Sequence, residues 1–202
     1  MLDPAEIAPA KLRPLLRPLL RREYDRLVDL GVFGDQRIEL LRGHLVEMSP
    51  QGDEHSDAVW WLCHHLSRLL DPAHWEVRPQ LPFAATADSE PEPDIYVTRH
   101  RRRRGHPRIA ELVIEVAKSS LRIDRVIKRS IYAEARVPEY WIIDVNARSI
   151  EVFTNPKAGD YTKVVEVDRS GILRPKHVPN VRLIVANIPG FGKRRARRSS
   201  RG

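Results

Sequence analysis

The chain of 202 residues has a single cysteine, Cys63. One thiol excludes an internal disulfide framework and a cysteine-based zinc site. No apolar run is long enough to span a bilayer. The N-terminal stretch lacks an uninterrupted apolar core, because Arg13, Arg17, Arg21 and Arg22 divide it, so no signal peptide is expected. There is no internal repeat. Acidic residues are missing from the far C-terminus, where Lys193, Arg194, Arg195, Arg197, Arg198 and Arg201 occur without one Asp or Glu. Together these scarcities lead us to expect a soluble, cytoplasmic protein with no membrane contact.

What remains is a globular composition, 42% hydrophobic and 31% charged. The length suits one domain with modest extensions. The expected organisation is a flexible Pro-rich extension over 1–18, a single domain over 19–190 and a basic, disordered tail over 191–202. The formal charge is +8. It is concentrated in Arg101, Arg102, Arg103 and Arg104 and in the tail; without these ten residues the body is slightly acidic. Such blocks attract polyanions without reading sequence, and here they are candidate contacts to a nucleic-acid backbone. The alternative is a solvated tail that serves solubility.

The most regular stretch is 111–153. Glu111–Val116 is a short β-branched run with the pattern of a buried strand. Asp124 reads as the N-cap of a helix over Arg125–Arg136, with Ile127, Ile131 and Ala135 as its apolar stripe. Pro138 ends that helix. Tyr140–Ile143 and Ile150–Phe153 read as two more strands, with Tyr140 and Trp141 in the core. Upstream, the pattern predicts a short helix over Arg21–Leu30 and a hairpin turning at Arg42–Gly43–His44. A long helix from about Asp53 to Leu70 and strands at Trp75–Leu81 and Asp94–Thr98 follow. Ala84–Pro93 reads as a polar loop. Downstream come a strand at Tyr161–Val167, a Pro-rich segment with weak order signals and a short strand at Val181–Ile188.

Asp94–Thr98 and Glu111–Glu115 flank the arginine loop. Antiparallel pairing about the middle of that loop puts Asp94 opposite Glu115, at one end of the sheet. Two adjacent carboxylates suit Mg²⁺, which takes only one or two protein carboxylates and keeps several waters. The arginine run falls at the other end, four residues at ~3.4 Å each or roughly 14 Å away. Lys118 follows Glu115 by three positions, and strand alternation turns it to the opposite face. Lys128 lies one turn into the following helix and can reach back to the pair, where a fixed cation orients an attacking water. Tyr132, four residues later, packs beside Lys128.

Pro93–Asp94, Glu115, Asp124…Lys128…Tyr132, Val137–Pro138–Glu139–Tyr140–Trp141 and Asp144 together resemble the Uma2 family (DUF820) of restriction-endonuclease-like proteins. Glu39–Val46, Met48–Ser49–Pro50 and His55 are similar to that family's opening pattern. The resemblance covers about residues 20–155. It implies an α/β (α+β) restriction-endonuclease-like core of the PD-(D/E)XK kind, a mixed β-sheet flanked by helices. It further implies Asp94 and Glu115 as metal ligands for Mg²⁺ (or Mn²⁺). The implied activity is a DNA endonuclease leaving 5′-phosphate and 3′-hydroxyl ends. Ala117 stands where the plain motif has lysine, so the resemblance moves the catalytic lysine to Lys128. Glu39, His55 and Lys118 are additional candidates, and DNA and a second copy of the chain are the expected partners. Two alternatives stay open: a catalytically silent DNA-binding or partner-binding module on the same fold, and a structural homodimer.

Overall fold

The computed structural model describes residues 17–101 and 105–191. The rest of the extension, Arg102–Arg104 and the basic tail lie outside the described residues. In chain order, α1 (Arg21–Asp29) leads to a hairpin of β1 (Ile38–Leu41) and β2 (His44–Glu47), and α2 spans Asp53–Leu69. Then come β3 (Trp75–Pro79), β4 (Ile95–Arg99) and β5 (Leu112–Ala117). A composite helix, α3, covers residues 121–134, with a π turn over Asp124–Lys128 between two α segments. The chain continues through β6 (Glu139–Asp144), β7 (Ser149–Lys157), β8 (Asp160–Asp168), β9 (Ile172–Leu173) and β10 (Leu183–Ile184).

The main sheet has six strands in the order β3-β4-β5-β6-β7-β8. Only β5 and β6 are parallel. A parallel pair needs a crossover, and α3 supplies it. Both β5 and β6 are buried along their whole length, as strands covered on both faces must be. One face carries Ile114, Val116, Trp141 and Ile143 against Ala58, Leu62 and Leu66 of α2. The other carries Val113, Tyr140 and Ile142 against Ile131 and Tyr132 of α3, with Leu41 and Phe83 closing the side. The expected mixed sheet flanked by helices is therefore the observed fold.

Local details differ from the pattern. The crossover helix begins at Leu121 rather than Arg125, with Ser120 at its N-cap position. Asp124 is not a cap: it lies inside the helix, buried, and accepts a hydrogen bond from Ser120 Oγ at 2.6 Å. The segment expected as a polar loop buries Ala84, Ser89 and Glu90 and forms a bridge between Glu90 and Leu40. The weakly patterned C-terminal part is a packed strap, with Val178, Val181, Leu183, Val185 and Phe191 buried under the α2 face. Buried Glu139 fastens it, accepting from Trp141 Nε1 at 2.7 Å and from the Lys176 backbone N–H at 3.1 Å. The last strand shrinks to Leu183–Ile184, followed by a 3₁₀ turn.

The hairpin is held close by its turn. Gly43 has φ +74°, donates to Asp88 O at 2.7 Å and accepts from Leu19 N at 3.1 Å. A Cβ at Gly43 would sit 2.2 Å from Pro18 Cβ and 2.7 Å from Pro18 Cα. Gly43→Ala is therefore expected to cost about 1–3 kcal/mol through overpacking and strain at positive φ. Urea denaturation of the two proteins checks this.

Candidate active site

The β4–β5 register pairs Ile95 with Ile114 and Tyr96 with Val113. Continued by one residue, it sets Asp94 opposite Glu115, as the pairing about the arginine loop predicts. The Asp94 N–H donates to Glu115 Oε2 at 3.3 Å, and the Val116 N–H donates to Asp94 Oδ2 at 2.8 Å. Opposed residues of an antiparallel pair share a face. Here it is the face covered by α3, which brings Lys128 over the pair. Lys128 Nζ is 3.1 Å from Glu115 Oε1 and 3.2 Å from Glu39 Oε2. Tyr132 donates its hydroxyl to the same Glu115 oxygen at 2.6 Å.

Glu39 comes from β1, where alternation alone allows a solvent-facing side chain. It is 4% exposed, and it also accepts from the Glu92 N–H at 3.2 Å. His55 comes from the first turn of α2, and its Nε2 is 3.0 Å from Asp94 Oδ2. The structure thus gathers Asp94, Glu115, Lys128, Glu39 and His55 at the C-terminal end of β5. It does not bring Lys118 there. That lysine leaves β5 toward α2 and pairs with Glu54 at 2.8 Å on the surface. Arg101 follows the opposite end of β4 and is exposed. Arg102–Arg104, Lys193, Arg194, Arg195, Arg197 and Arg198 lie outside the described residues.

Asp124 is the buried carboxylate that pattern reading did not assign to the site. Its i, i+4, i+8 spacing with Lys128 and Tyr132 was the available signal, since such residues share a helix face. Within α3 the π turn carries both Asp124 and Lys128 inward. Single π turns recur at functional sites.

The electrostatics are those of an acid-rich pocket around one amine. Burial pushes the Glu115 carboxyl well above its ordinary value; Lys128 pulls it back, and the charge of Asp94 adds to the rise. Burial likewise lifts Asp124 to about 6, against the pull of Lys128. Burial alone would lower Lys128, but Glu115, Glu39, Asp124 and Asp94 outweigh it and hold the ammonium form. Two donors on Glu115 Oε1 require that oxygen to be an acceptor. Four carboxyl groups crowded around one ammonium in a buried space are more acid than the amine can neutralise, and hard oxygen donors of this kind fit a divalent cation. Among the described residues no group of three or more His, Cys, Asp or Glu side chains is arranged as a ligand set. Two carboxylates plus water remain sufficient for Mg²⁺. No helix among the described residues is long and apolar enough to cross a membrane.

No curated protein matches this chain. Among solved structures, it is similar to a "putative nuclease belonging to DUF820" from Anabaena variabilis, with TM-score 0.68 and 16% identity. The match covers 86% of this chain and 99% of that one. At that identity the likeness concerns the fold, which is the nuclease-like fold of that protein. The Uma2 family model, described as "Putative restriction endonuclease", matches residues 21–186. A match over that much of the chain, with the mixed sheet and the acid–lysine cluster in place, shows that the chain belongs to the Uma2 family.

Proposed function

We propose that this chain is a metal-dependent DNA endonuclease whose centre is the Asp94–Glu115 pair with Lys128. The observation that carries this reading is the burial of Lys128 Nζ between Glu115 and Glu39, with the Asp94 N–H bonded to that same Glu115. Asp94 and Glu115 would hold Mg²⁺ or Mn²⁺. A divalent cation there supplies Lewis-acid polarisation of the phosphate and lowers the pKa of an attacking water. Glu39 and Glu115 fix the Lys128 ammonium, so its charge is available to orient that water and to meet the negative charge of the transition state without reorganising. Tyr132 fixes the rotation of Glu115 through its 2.6 Å bond. The excess of buried acid over base is the feature that a cation would relieve.

The competing reading, a catalytically silent DNA-binding module, draws on Ala117 at the usual lysine position and on the basic segments. The two readings part on cleavage. Asp94→Asn is expected to lower Mg²⁺-dependent plasmid nicking about 100-fold or more while leaving the fold intact. Nicking at the wild-type rate would sink the assignment of Asp94. Wild-type protein that binds DNA in a salt-sensitive way and never cuts it would favour the silent module. Deleting residues 193–202 should then remove most of that DNA affinity, whereas a structural homodimer would be indifferent to the deletion.

Lys128→Met should be doubly costly. It removes the amine from the reaction and strands Glu39 and Glu115 without a counter-charge, a loss of roughly 3–5 kcal/mol for a broken buried pair. Loss of cleavage with a lowered unfolding midpoint is the expected result, and an unchanged midpoint would count against the buried bridge.

Asp124 gives a pH prediction. Its folded value of about 6 lies above the unfolded value of 3.8. The folded chain therefore binds the proton more tightly, and the stability from this group is present below about pH 4 and lost as the pH rises through about 6. Melting of wild type and Asp124→Asn in EDTA should show the variant gaining on wild type between pH 4 and pH 7. A difference that does not vary with pH would contradict a carboxyl group whose burial outweighs its partners Ser120 and Lys128.

A further inference from the structure

The two ring nitrogens of His55 are in unlike situations. Nε2 meets Asp94 Oδ2 at 3.0 Å. Nδ1 is buried and has no hydrogen-bond partner among the described residues. The side chain is 12% exposed, so the ring is largely enclosed at the start of α2. A carboxylate only accepts, so the proton between the two residues belongs to His55 Nε2. The same Asp94 oxygen accepts the Val116 N–H at 2.8 Å. Two donors, one from α2 and one from β5, converge on Oδ2. They fix the rotation of the carboxyl group, and neither addresses Oδ1.

A ring retained for packing alone would have no reason to bury a nitrogen without a partner, because such a group loses its water and gains nothing. An apolar side chain would fill the space without that penalty. The bond to Asp94 is the one polar interaction of the His55 ring among the described residues, so the orientation of that carboxylate is what the ring contributes. Groups that hold a ligating carboxylate from behind tune cation affinity without touching the cation.

We infer that His55 is a positioning residue for Asp94: its Nε2–H, with the Val116 N–H, holds Oδ2 and leaves Oδ1 for a divalent cation. His55 thereby sets the cation affinity of the site. This rests on the reading of Asp94 and Glu115 as the cation-holding pair. Lys128 and Tyr132 play the matching part on Glu115, so each carboxylate has one oxygen taken by two donors.

The test is Mn²⁺ binding to the full chain by calorimetry, with Mg²⁺ as competitor, for wild type, His55→Ala, His55→Phe and His55→Gln. Ala and Phe remove the donor, Phe keeping the volume; Gln returns an N–H at a similar reach. The expected result is a loss of affinity of about tenfold to a hundredfold for Ala and Phe, with Gln close to wild type. Should Ala fail to fold, Phe against Gln carries the comparison. Melting without metal is measured alongside, because a merely structural role lowers the melting temperature and leaves the affinity of the folded chain unchanged. Equal Mn²⁺ affinity for wild type and the donor-less variants overturns this role for His55 alone. A wild type that binds no Mn²⁺ overturns the cation reading of the Asp94–Glu115 pair and, with it, this inference.

Discussion

The Lys128 ammonium, shared by Glu39 and Glu115 inside the protein, is the interaction on which the rest of the site depends. A buried amine keeps its charge only where surrounding carboxylates outweigh the loss of water. Here four carboxylates do so, and three of them come from different parts of the chain: Glu39 from the hairpin, Asp94 from the segment before β4, Glu115 from β5. The bridge therefore ties the hairpin and the crossover helix to the sheet. Burial, with the neighbouring acids adding to it, raises Glu115 and Asp124, and the same crowding of acid makes the pocket suited to a divalent cation.

The sheet supplies the geometry that such a cluster needs. The antiparallel β4–β5 pairing sets Asp94 and Glu115 side by side on one face. The parallel β5–β6 pairing requires a crossover, and that crossover must start at the end of β5 where Glu115 stands. A lysine in the first turns of α3 is thus returned to the carboxylates by topology. The π turn at Asp124–Lys128 fits the same demand, since it keeps both residues inward without displacing Ile131 and Tyr132 from the core. On the other face, α2 covers the sheet with Leu62 and Leu66 and carries His55 to Asp94 from behind. The site lies where both layers of helix meet one end of the sheet.

Much of this was legible without coordinates. The β-branched runs, the helical spacing in α2 and α3, and the break at Pro138 marked most elements to within a few residues. The registry of β4 on β5 followed from the loop between them, and with it the Asp94–Glu115 neighbourhood. Strand alternation sent Lys118 away from the site, as found. These are local properties: period, turn chemistry and short-range pairing depend on residues near one another in the chain.

Other features were decided only by packing. Asp124 has the side chain of a helix cap, and its burial follows from the π turn and from Tyr140 of β6, whose hydroxyl donates to the Asp124 carbonyl, neither of which is written in its neighbours. Glu39 alternates in a two-stranded hairpin whose face is set by contact with α3, so its burial waits on the whole fold. Tyr132 was expected beside Lys128, but its bond to Glu115 depends on the distance between helix and sheet. The C-terminal strap has no periodicity because its order comes from apolar side chains seated under α2, fastened by Glu139. The sequence by itself determined the elements, the order of the strands near the site and the chemical types available there. The tertiary structure decided which carboxylates lose their water and which single cation they share, because burial and charge coupling arise between segments that the chain keeps far apart.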